Sequence, residues 1–137
     1  MSNADTLRRV FSLMDEKDFA SIRELLAPEF SAVFGGNPPM GVEEWAGMGE
    51  MMYAAFPDGR HTFDETYEVG DRVFSRASFS GTHTGDFMGM SPTGKEITIT
   101  ELAFDRFADG KLVEHRVEAD MLGLMQQLGA IPSLATT

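Results

Sequence analysis

Apolar positions fall into two regimes along the 137 residues, with helical spacing first and strand alternation after it. Leu7, Val10, Phe11 and Met14 form one stripe at helical spacing, with Ser2 and Asn3 as candidate caps. "DFASIRELLAP" supplies Asp18 as a cap and Phe19, Ile22, Leu25 and Leu26 as a second stripe, which Pro28 is expected to stop. "FSAVFGGNPPMG" reads as a short strand entering a turn. A third helix is expected from Val42 to about Phe56, carrying Trp45, Met48, Met52, Tyr53 and Phe56.

Alternation takes over in the second half. His61, Phe63, Tyr67 and Val69 share one expected face, with Thr62, Asp64 and Thr66 opposite. "GD" at 70–71 turns this strand into a second over 72–84, giving a hairpin. A third strand is expected over 96–107, and "ADGK" turns it into a fourth over 112–120. "MLGLMQQLGAIP" reads as a short amphipathic helix stopped by Gly129 and Pro132, and "SLATT" (133–137) as a loose tail. Helices followed by long antiparallel strands predict a single α+β domain, a curved sheet with helices against one face. Such a sheet does not close perfectly, and the gap is the expected pocket.

The stretch "GTHTGDFMGMSPTGKEI" (81–97) refines that expectation. It is rich in glycine yet holds Phe87, Met88 and Met90, although turn-rich segments are usually polar. Glycines that bend the chain while Phe87 and Met88 cover a pocket mouth would explain the combination. Phe34, Trp45, Met48, Met52 and Phe56 are the further candidates for a wall that takes a flat hydrophobic ligand. For the helix residues, packing in the core is the competing explanation.

Composition removes several function classes. Lys and Arg number 11 against 22 Asp and Glu, a formal net charge of -11, which repels nucleic-acid phosphates and anionic lipid. Cysteine is absent, which excludes disulfides, thiolate nucleophiles and Cys-ligated metals. His61, His83 and His115 lack metal-ligand spacing, so no metal is expected. The first residues lack the apolar run of a signal peptide, and cytoplasm is the expected compartment. No phosphate-binding loop, dinucleotide fingerprint or GxSxG elbow occurs, and no cofactor is expected.

Three segments in order, "HTGDFMGMSPTG", "RFADGKLVEHR" and "DMLGLMQQLG", resemble the SnoaL-like polyketide cyclases, also called ester cyclases, of the NTF2-like superfamily. The resemblance implies a cystatin-like cone, a curved antiparallel sheet wrapped around N-terminal helices with an internal cavity. It also implies a homo-oligomer of two or four copies and cofactor-independent aldol cyclisation or isomerisation of a hydrophobic, polyketide-like carbonyl compound. The family's acid/base aspartate matches Asp120. The histidine discussed as its partner has no match, because the corresponding strand reads "TITELAFDRF".

The residues themselves leave alternatives open. Asp120 is a candidate general base or a cap for the last helix. His83 is a candidate proton donor or a half-buried histidine that holds the following loop. In "EHRVEAD", Glu114, Arg116, Glu118 and Asp120 alternate on one face, which is either a solvated surface or a polar pocket wall with Arg116 as a substrate contact. Two other functions remain beside the cyclase: a non-catalytic small-molecule binding module, and a hydrolase or hydroxylase using the same pocket.

Overall fold

The computed structural model describes residues 1–132, so the tail expected at 133–137 lies outside the described residues. The chain runs α1 (Asn3–Asp15), α2 (Phe19–Arg23), β1 (Leu26–Phe34), α3 (Val42–Ala55), β2 (Arg60–Val69), β3 (Arg72–Thr82), β4 (Glu96–Ala108), β5 (Lys111–Ala119) and α4 (Met121–Leu128). Local chemistry accounts for most of these limits. Ser2 caps α1 in a capping box with Asp5, Asp18 caps α2, and Asp120 caps α4. Gly129 stops α4 in the left-handed region at φ 82°, where a side chain would be strained.

The five strands form one curved sheet in the order β1-β5-β4-β3-β2. β2 through β5 pair antiparallel, whereas β1 runs parallel to β5 at the sheet edge, so the all-antiparallel expectation is corrected at that edge. The second helix is also shorter than its apolar stripe suggested. It ends at Arg23, and Leu26 opens β1, where it sits opposite Leu112. Pro28 lies inside β1 within a register shift between Leu26 and Ser31. An edge strand tolerates the missing N–H there, which a central strand would not.

A bulge at Asp64 changes the faces of β2. Phe63 pairs with Ala77 and Glu65 with Arg76, leaving one residue extra on β2. The extra residue reverses the alternation that follows it. His61 and Phe63 therefore face the helices, whereas Tyr67 and Val69 turn outward, against the shared face expected from alternation. α1 packs across the inner face, and its Leu7, Val10, Phe11 and Met14 join Ile97, Ile99, Phe107 and Leu112 in the core.

Candidate active site

Between α1, α3 and the inner sheet face lies a pocket of about 350 Å³, the size of a small-molecule site. Most of its wall is apolar or aromatic. Phe34, Trp45, Met48, Met52, Phe87 and Met88 all line it. Phe87 is almost fully buried and packs on Phe56, whereas Met88 is 68% exposed with φ 48° and stands at the rim. The glycine-rich loop owes its path to close contact as well as flexibility. A Cβ on Gly85 would sit 1.9 Å from the Ala54 carbonyl oxygen, so only glycine lets this loop lie against the end of α3.

Four sequence candidates lie away from the pocket wall. Phe56 is fully buried behind it, in contact with Phe79, His83 and Phe87. His83 is fully buried too, and its Nδ1 accepts from the Thr93 backbone N–H at 3.2 Å. Its backbone N–H and carbonyl bond Lys95 and Gly94, so it braces the loop from behind Phe87. Arg116 is exposed on the outer sheet face and pairs with Glu114 at 3.2 Å. Asp120 is exposed, and its Oδ1 accepts from the Gly123 N–H at 2.8 Å, which is the helix-cap geometry. Its neighbours Ala119 and Met121 line the pocket, but its carboxylate does not.

The polar part of the pocket is instead built from Tyr53, His61, Glu101 and His115. Asp15, in the last turn of α1, organises the first two. It receives the His61 backbone N–H on Oδ2 at 2.8 Å, the His61 Nδ1–H on Oδ1 at 2.8 Å, and the Tyr53 hydroxyl on Oδ1 at 2.5 Å. On the other side of the imidazole, Glu101 Oε1 lies 3.3 Å from His61 Nε2. The charges attract at that range, but Oε1 lies off the hydrogen-bonding direction and is left without a partner.

This arrangement sets the protonation of the cluster. Burial opposes charge on His61, yet the hydrogen bond to Asp15 and the nearby charges of Asp15 and Glu101 outweigh it and hold the imidazole pKa up at about 9. Burial also opposes charge on Asp15, but its His61 and Tyr53 donors keep the carboxyl below its ordinary range. The Tyr53 hydroxyl is pushed up by burial and by its bond to Asp15, so it stays a neutral donor. At neutral pH the pocket thus holds an imidazolium next to Glu101, whose Oε1 has no hydrogen-bond partner.

A second pair lies farther along the sheet, where His115 Nδ1 meets Asp105 Oδ1 at 2.6 Å. The two acids carry a signal in the sequence. Ile97, Ile99, Glu101, Ala103, Asp105 and Phe107 alternate on β4, so two carboxylates interrupt an inward apolar face. His115 likewise interrupts Val113, Val117 and Ala119 on β5. Asp15 had no such signal, because its partner is supplied by a strand 46 residues away.

Among the described residues no group of three or more His, Asp or Glu has metal-binding geometry, and no helix is long and apolar enough to cross a membrane. Similarity to known proteins agrees with the fold. Aklanonic acid methyl ester cyclase DauD of Streptomyces sp. (strain C5) is 28% identical over 129 residues, 91% of this chain and 80% of that protein. The solved structure of IdmH from Streptomyces antibioticus is 31% identical with a TM-score of 0.85, covering 94% of this chain and 99% of that one. AclR of Streptomyces galilaeus superposes with a TM-score of 0.88 at 26% identity, over 98% of this chain and 85% of that one. Residues 4–128 match the sequence profile described as SnoaL-like polyketide cyclase, and the chain belongs to that family.

Proposed function

We propose that the protein is a cofactor-independent cyclase that removes a proton from a carbon next to a carbonyl, using Glu101 as the base. The observation that carries this reading is the bare Glu101 oxygen beside the His61 imidazolium inside an otherwise apolar pocket. A carboxylate there is shielded from bulk water, and the same shielding strengthens any donor aimed at an enolate oxygen. His61 is that donor. When Glu101 takes up the substrate proton its negative charge disappears, and the His61 Nε2–H is released toward the developing oxyanion. Asp15 and Tyr53 are positioning residues that fix the ring. The aromatic and methionine walls suit a flat, hydrophobic, polyketide-like ester or ketone.

A second reading assigns the base to Asp120, on the position it shares with the family's acid/base aspartate and on the placing of its neighbours Ala119 and Met121 at the pocket wall. Turnover of aklanonic acid methyl ester, the compound in the name of several relatives, separates the two. Loss of turnover in Glu101→Gln with retention in Asp120→Asn supports the first reading, and the reverse pattern supports the second.

The assembly is part of the proposal. On the outer sheet face Tyr67, Phe74 and Phe104 are cross-strand neighbours in one row, with Leu102 beside them, and most of the row is exposed. We assign this face to a second copy of the chain. Arg116 ends the row opposite Phe104, and the adjoining row runs Glu65, Arg76, Leu102, Glu118, so a copy rotated by half a turn can set unlike charges against each other.

A further inference from the structure

The Asp105–His115 pair has no part in the reaction as described so far, yet it is the most deeply buried ionisable pair among the described residues. The two residues face each other across the β4–β5 ladder, with side chains 0% and 5% exposed. Asp105 Oδ2 is buried with no hydrogen-bond partner. His115 packs on Phe11 at 5.4 Å and on Trp45 at 5.7 Å, and it lines the pocket. Its Nδ1 is committed to Asp105, which leaves the Nε2 edge for the pocket.

Charge balance decides what Nε2 carries. An ionised Asp105 beside a neutral His115 would bury one net negative charge, with a bare oxygen among apolar side chains, at a high cost. One further proton makes the pair neutral overall. That proton can be described as completing an imidazolium or as shared with the carboxyl group, and in both descriptions a hydrogen remains on Nε2. The other titratable groups lining the pocket are Tyr53, His61 and Glu101. With both histidines protonated, Asp15, Glu101 and Asp105 face two cations, and the cluster keeps a single net negative charge.

We propose that His115, held by Asp105 in a net-neutral pair, presents Nε2–H to the pocket as a second proton donor, serving the carbonyl that is attacked. This inference rests on the proposed reaction and completes it. Ring closure by aldol chemistry needs two services at two oxygens. Glu101 takes the proton from the carbon acid, and the enolate carbon bonds to the second carbonyl carbon. The π electrons of that carbonyl move to its oxygen, which takes the Nε2 hydrogen and becomes a hydroxyl. The proton on Glu101 is returned to His115 through water between turnovers, so the protein ends unchanged. His61 and His115 both pack on the Phe11 ring, at 4.8 and 5.4 Å, so both donors stand beside the same ring in the pocket. The substrate class is accordingly a planar dicarbonyl compound, one carbonyl activating the carbon acid and the other accepting it.

Two measurements on the full-length protein test the inference. Long-range 1H–15N spectra of the ligand-free protein at neutral pH are expected to show a hydrogen on His115 Nε2, and a bare Nε2 would overturn the proposal. The second uses 1-(2-acetylphenyl)propan-2-one, a dicarbonyl whose aldol product loses water and tautomerises to a methylnaphthol. In deuterated water, His115→Gln is expected to slow naphthol formation about 100-fold while changing α-hydrogen exchange less than about 3-fold. Asp105→Asn is expected to do the same, through loss of the Nε2 hydrogen in the spectrum. Unchanged ring closure in His115→Gln overturns the donor role. Failure of the wild-type protein to exchange the α-hydrogens sinks the Glu101 base instead, and the spectrum still decides the state of His115.

Discussion

His61 gives Asp15 both its backbone N–H and its Nδ1–H, each at 2.8 Å, so one carboxylate grips the residue at two points. A ring held in this way cannot turn, and Nε2 stays 3.3 Å from the Glu101 carboxylate. The grip also joins the end of α1 to the start of β2, the two elements that bracket the polar side of the pocket. Fold stability and site chemistry therefore depend on the same proton.

The first prediction follows from that coupling. The folded-state pKa of His61 is raised from 6.5 to about 9, so its contribution to stability is complete below the unfolded value and is lost as pH rises through about 9. The Asp15 shift is downward and acts at the other end, being lost only as pH falls through its lowered folded value. Urea unfolding at pH 6.5 and 9.5 should show the protein less stable at the higher pH, by an amount on the order of 2–3 kcal/mol. A His61→Asn variant whose stability falls as steeply over this window would remove His61 as the cause.

Catalysis should track the same group. Turnover is expected to decline above pH 9 as the imidazolium is lost, and Glu101→Gln is expected to cost about 10²- to 10⁴-fold in kcat. Rates that stay level up to pH 10.5 in the wild type would eliminate His61 as the donor.

Asp120 offers a substitution that separates capping from chemistry. Asn caps helices about as well as Asp, so Asp120→Asn should leave the melting temperature nearly unchanged, whereas Asp120→Ala should cost about 1 kcal/mol through loss of the Gly123 hydrogen bond. Differential scanning calorimetry of the two variants makes the comparison. Equal losses in both would mean that charge, and not the cap, matters there.

The two apolar residues at the start of the glycine-rich loop should behave oppositely. Phe87 is buried against Phe56 and His83, so Phe87→Ala is expected to destabilise by about 3–5 kcal/mol. Met88 is exposed at the rim with a positive φ, so Met88→Gly should leave stability unchanged or slightly raised and weaken binding of an aromatic ligand. Chemical denaturation and ligand titration read the two effects. A stable Phe87→Ala would show that the loop does not close the pocket.

Sedimentation equilibrium tests the assembly. The wild type is expected to sediment as two or more copies, and Phe74→Glu as one, since Phe74 stands between Tyr67 and Phe104 and a charge there would be buried without a partner. A wild type that stays monomeric at high concentration removes the assignment of that face.

Periodicity and local chemistry by themselves determined the order of the elements, the cap at Asp18, the stop at Gly129 and the hairpin turns, and marked Ser2 and Asp120 as candidate caps, because each depends on neighbours only a few residues away. The glycine-rich loop with its apolar residues was equally legible, since turn chemistry and side-chain polarity are both local properties. The three family segments pointed to the same fold through residues at 83–129. What only the tertiary structure decided is which acids and imidazoles meet. Asp15 and His61 are 46 positions apart, and a bulge at Asp64 changes which side chains of β2 face the helices. Whether Asp120 acts as cap or as base likewise depends on where the Gly123 N–H lies once α4 docks. Ionisation in a pocket is set by distances across the fold, and sequence spacing carries no measure of those distances.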